Sequence, residues 1–197
     1  MSYIANTAFE ARITNNEFDD LCNITGKYFA SDAAADCSAG LLCVRDELLD
    51  CEGFAGVKNE NAFKMVAATN EATANDVIYA CNTYESKLIN DGDNHNYFIG
   101  SETLGLGVPA GRYGTFTKIN FDGQSVYRFG EGNLSTAIGD SVFLKINNGR
   151  LVPAAAAPTD AGAVYFVLNG TGNFVEGTSN SFTYYDVIAC KNIAATA

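Results

Sequence analysis

Short apolar runs recur through the second half of the chain, each bounded by glycine or asparagine. Val142, Phe143, Leu144 and Ile146 form one run, and Val164 to Leu168 form another, both rich in β-branched and aromatic residues that favour strands. Asn147-Asn148-Gly149 follows the first run with residues that tolerate positive φ, which predicts a tight hairpin turn. Upstream, Gly114 to Phe121 and Ser125 to Phe129 repeat the pattern, as do Phe63 to Ala67 and Val77 to Cys81. Short strands with turn signals every 8–12 residues or so predict a mainly β protein whose body is a Greek-key sandwich or small barrel.

The first 53 residues read differently. Tyr3, Ile4, Phe9, Ile13 and Phe18 show no clear period, and their spacing suits an extended arm as well as a short helix. Residues 31–53 combine an Ala-rich stretch with the apolar run Leu41 to Val44, and predict a short helix or turn leading into a strand. The chain therefore divides into a less regular, partly helical section (1–53) and a β-rich body (54–197). Within the body Asp76 to Asn82 echoes Asp186 to Asn192, each an apolar run ending in cysteine. No solenoid-type repeat is present.

Composition narrows the function. Of 197 residues 47% are apolar, enough for a sizeable core, and 13 Phe with 10 Tyr make up for the lack of Trp. Asp and Glu outnumber Lys and Arg by 23 to 12, leaving a net charge of −11. Nucleic-acid affinity rests on basic residues displacing counterions, so this balance argues against it. No apolar run approaches the roughly 18 residues of a membrane span. The N-terminal residues lack the apolar core of an export signal, which predicts reduced thiols at Cys22, Cys37, Cys43, Cys51, Cys81 and Cys190.

Candidate chemistry is sparse. A Ser-His or Cys-His site would have to use His95, the one histidine, which sits in the polar loop Asn90 to Asn96. Asp91, Asp93 and Glu102 fall at positions 1, 3 and 12 of a calcium-loop pattern, but His95 and Asn96 occupy places that want an oxygen donor and a glycine. An acidic solvated turn is the better reading. Cys37, Cys43 and Cys51 lack the close pair that lets two thiolates reach one zinc ion, so they read as small apolar residues. Gly105-x-Gly107 and Gly130-x-Gly132 have no strand-to-helix setting for phosphate binding. The expectation is a protein that is not an enzyme and carries no cofactor or metal.

The segment GDSVFLKINNGRLVPAAAAPTDAGAVYFVL, Gly139 to Leu168, resembles the decoration (head cement) proteins of tailed-bacteriophage capsids. The shared texture is a Gly-Asp strand entry, a short hairpin, an Ala/Pro/Thr stretch and a returning strand, over part of the C-terminal half. The resemblance implies a structural protein, often trimeric, that is made in the bacterial cytoplasm. It would bind the major capsid protein on the virion exterior and brace the shell, with neither nucleic acid nor membrane as partner. On that reading Tyr3, Ile4 and Phe9 of the N-terminal arm are the candidate partner contacts. One rival is a carbohydrate- or host-surface-binding module of a phage fibre or tail, with Tyr113, Tyr127, Tyr184 and Tyr185 as candidate stacking residues. Another is a self-assembling surface or filament subunit.

Overall fold

The computed structural model describes residue 4 and residues 6–13, 23–69, 77–82, 87–90, 96–99, 107–176 and 180–192. They are mainly β. Six strands form an antiparallel sheet in the order β1 (Phe9–Ile13), β12 (Val126–Gly130), β16 (Asn180–Lys191), β15 (Val164–Glu176), β13 (Phe143–Asn147) and β14 (Arg150–Ala154). A second sheet runs β11 (Gly114–Lys118), β7 (Ile78–Cys81), β5 (Leu42–Cys51), β6 (Phe54–Ala67), β2 (Asn23–Ala30) and β3 (Ala33–Ala34). Two short pairs complete the description: β4 (Cys37–Ser38) with β10 (Gly107–Val108), and β8 (Lys87–Asn90) with β9 (Asn96–Ile99).

The second sheet closes on itself. β11 pairs with β7 on one side and with β2 on the other, so β11, β7, β5, β6 and β2 form a ring. An odd-membered ring cannot be antiparallel throughout, because strand direction must return to itself after one circuit. The parallel pairing of β2 with β6, Thr25 opposite Ala62 through Tyr28 opposite Met65, supplies the necessary exception.

Two apolar clusters hold these parts together. Inside the ring lie Leu41, Cys37, Cys43, Met65, Tyr79, Cys81, Val108 and Phe116. Between the ring and the six-stranded sheet, Leu42, Ile78 and Ala80 meet Tyr127, Phe129, Leu144, Phe166 and Val187. β7 therefore has core on both faces, and all four of its residues, Ile78 to Cys81, are buried. A strand covered on both sides reads as an unbroken apolar run, which is how it stands in the sequence.

Residues 31–53 contain no helix. Ser31, at φ 57°, turns β2 directly into β3, and Gly40, at φ 73°, turns the chain from β4 towards β5. The Leu41 to Val44 run is drawn into the wall shared by the two clusters, where alternate faces must both be filled. Ala33 and Ala34 themselves stay exposed, and their strand pairing with Ala30 and Phe29 takes the place of the helix their propensity favours. Among the described residues the one helical turn is a 3₁₀ turn, Glu131–Asn133. The change of texture at residues 53 and 54 is the turn of the β5–β6 hairpin, where Cys51 pairs with Phe54. Strands from before that turn lie in both sheets: β1 beside β12, and β2 and β5 within the ring.

The turn at Asn148-Gly149 is present, with φ of 48° and 74°. It is no free surface loop, because the Gly149 carbonyl accepts the Leu42 N–H at 2.8 Å and its own N–H donates to Ala68 O at 2.8 Å. A Cβ there would stand 2.8 Å from Leu41 Cδ1 and 3.0 Å from Leu42 O. Hairpin turn and ring wall are built into one another. Asp76–Asn82 and Asp186–Asn192, the echoed segments, supply central strands of different sheets: β7 lies between β5 and β11, and β16 between β12 and β15.

Candidate functional site

The face of the six-stranded sheet turned away from the core carries a feature that the linear sequence does not display. Tyr127, Val187, Phe166 and Leu144 point into the core, so alternation sends their neighbours to the opposite side. Register then aligns Val126 with Ile188, Ile188 with Val167, Val167 with Phe143, and Phe143 with Ala154. An unbroken apolar row thus crosses five strands on the outer face. Its members are half-buried except Val126, which is buried. Next to the row, the Phe143 ring lies 6.2 Å from that of Tyr165, and Val142 is 48% exposed.

A polar cluster borders the row on the same face. Arg128 donates through Nε and Nη2 to the two carboxylate oxygens of Asp186, at 2.8 and 2.9 Å. Its guanidinium sits 3.6 Å from the centre of the Tyr184 ring and reaches Glu10 at 3.7 Å. The hydrogen bonds to Asp186 outweigh the cost of burial and raise the Arg128 pKa further. Such a charge-assisted pair fixes both side chains in a defined geometry.

The anticipated N-terminal contacts are placed differently from a free arm. Tyr3 lies outside the described residues. Ile4 is half-buried and its N–H donates to Ser38 Oγ at 2.9 Å. Phe9 is 2% exposed, stacked 6.0 Å from Tyr127 and tilted 5.4 Å from Phe129 in this chain's own core. Removing residues 1–12 would therefore strip an edge strand and a core ring from the body. Asn133 reinforces the anchorage, with its Oδ1 accepting the N–H groups of Ala8 and Gly130 at 3.0 Å each and its Nδ2 donating to Ala39 O at 2.7 Å.

The other candidates separate clearly. His95, Asp91, Asp93 and Glu102 lie outside the described residues, although β8 and β9 on either side of the polar loop pair as a hairpin. Cys37, Cys43 and Cys81 meet inside the ring, where burial, with the neighbouring thiols of Cys43 and Cys81, pushes the Cys37 thiol well above its ordinary range. Burial likewise pushes the adjacent Tyr28 hydroxyl up to about 12. Cys37 and Tyr28 are thus kept protonated, and the three cysteines pack the ring interior. Cys51 lies apart on β5 near the hairpin turn, and Cys22 is outside the described residues.

Of the tyrosines proposed to stack on sugars, Tyr127 is fully buried and its hydroxyl oxygen accepts the Asn120 N–H at 2.8 Å. Tyr184 is half-buried with the Arg128 guanidinium over its ring, and Tyr185 packs against the core. Tyr113 alone among them is substantially exposed, at 39%, and stands beside a groove on the ring. Comparison with protein-family models, characterised proteins and solved structures finds no match to the chain.

Proposed function

We propose that the protein is a structural subunit that binds the outside of a bacteriophage capsid through the outer face of its six-stranded sheet and stabilises the shell. The carrying observation is the apolar row from Val126 to Ala154 with its Arg128–Asp186 border. Cross-strand packing within the row stabilises the sheet, yet it leaves the row half-exposed on the side away from the core. Covering that row against a partner recovers about 25 cal/mol for each Å² removed from water. The partner on this reading is the major capsid protein, and the type of protein comes from the resemblance of Gly139 to Leu168.

The body is read as a small barrel faced by a sheet, rather than a Greek-key sandwich, and the ring of pairings supports that reading. A rigid β body suits a load-bearing role, because its contacts are long-range and open together. The net charge of −11 keeps the free subunit soluble and away from nucleic acid. The test is quantitative mass spectrometry of purified phage particles. The expected result is this chain at a copy number close to that of the shell protein; particles without it would end the reading.

A further inference from the structure

A groove of about 400 Å³ crosses the outside of the ring where β2, β5 and β6 meet the turn before β11. Small-molecule sites span roughly 300–1,000 Å³. The parallel register sets Lys27 directly beside Lys64, two like charges as neighbours. The two are held differently. Lys27 Nζ lies 4.2 Å from the centre of the Tyr113 ring. Lys64 Nζ lies 3.2 Å from Asp46 and 3.8 Å from Asp32, and 5.7 Å from the centre of the Phe29 ring. At the far end Lys58 Nζ is 3.0 Å from Asp50 and 3.5 Å from Glu47. Asp50 is also held by the Gly56 N–H at 3.1 Å. Lys27, Lys58 and Lys64 thus face Asp32, Glu47 and Asp50, and the lining carries no net charge.

That balance selects the ligand. A phosphate, sulfate or uronate group needs net positive charge, and the three lysines of the lining are matched in number by three carboxylates. A metal cation meets ammonium groups seated among the carboxylates. A neutral polyol meets neither obstacle, because vicinal hydroxyls accept from an ammonium and donate to the adjacent carboxylate at once. The exposed Tyr113 ring, with the half-buried Phe29, adds the apolar surface on which the C–H face of a sugar ring packs. We propose that this groove binds a neutral oligosaccharide. Tyr113 stacks on one sugar ring while the Lys58–Asp50 pair and Lys64 hold its hydroxyls. The site lies on the ring, apart from the outer face of the six-stranded sheet, and does not depend on the shell-binding reading.

The test is calorimetric titration of the full chain with maltohexaose, cellohexaose and chitohexaose, and with heparin and oligogalacturonate as anionic probes. Saturable binding of at least one neutral probe is expected, changing less than about twofold between 50 and 500 mM salt. Tyr113→Ala should weaken it about tenfold or more at an unchanged melting temperature, and Val167→Asp should leave it intact. No binding of any neutral probe would overturn the proposal. So would binding that survives Tyr113→Ala, or binding confined to heparin or oligogalacturonate with steep salt dependence.

Discussion

Asp122 shows how local hydrogen bonding outcompetes burial in this molecule. Partial burial alone would raise its pKa, but the backbone N–H groups of Ser125 and Gln124 and the Ser125 hydroxyl all donate to its carboxylate, and the net shift is downward. A depressed folded-state pKa contributes stability that is fully present above the unfolded value of about 3.9 and lost as pH falls through the folded value. The stability gap between the wild type and Asp122→Asn, measured by urea unfolding, should hold steady from about pH 7 to 5 and close towards pH 2. A gap that widens on acidification would contradict the assignment. Gly149 makes a steric prediction beside this electrostatic one. Gly149→Ala must accept a φ of 74° and a Cβ crowded by Leu41 and Leu42, and should cost roughly 2 kcal/mol or more. Gly111→Ala has a similar φ but open space around the Cβ, so only the backbone part of the cost should appear. Asn133→Ala should cost roughly 2 kcal/mol, since the Ala8 N–H and the Ala39 carbonyl lose the partner Asn133 gives them, while the Gly130 N–H keeps the Ala8 carbonyl at 3.3 Å.

The strands best foreseen from sequence are those whose burial matches a local pattern. β7 announces itself as an unbroken apolar run, and the β13–β14 hairpin through Asn147-Asn148-Gly149. The β5–β6 hairpin was hidden because its outer half is solvent-facing and mixed in character: Phe54 is 67% exposed and Val57 54%, among charged neighbours. Without alternation, its turn at Gly53 looked like a boundary between regions. β2 escaped notice because only Ile24, Gly26 and Tyr28 turn inward, and one of those three is a glycine. Ring closure itself depends on β2 meeting both β6 and β11, a non-local fact that no window of sequence contains. The same closure predicts thiol behaviour. In native protein at neutral pH, Cys37, Cys43 and Cys81 should resist maleimide while half-buried Cys51 and Cys190 label first, as mass spectrometry of labelled peptides would report. Labelling of all of them at one rate would mean that the ring opens freely.

The candidate binding face was legible in its parts but not in its assembly. Phe143, Val167 and Ile188 are visible as strand residues, yet which of them share a row is fixed by the register across β12, β16, β15, β13 and β14. The expectation of an N-terminal arm drew on true apolar positions, and the fold commits Phe9 to its own core. The outer sheet face is therefore the proposed binding surface, and binding to the shell tests that role most directly. Capsids lacking the chain would be mixed with purified protein and sedimented, comparing the wild type with Val167→Asp at the centre of the row and Thr171→Asp outside it. The wild type and Thr171→Asp should saturate the shells at one common stoichiometry, while Val167→Asp, folded by circular dichroism, should lose affinity by about tenfold or more. Equal binding by all three proteins would contradict it.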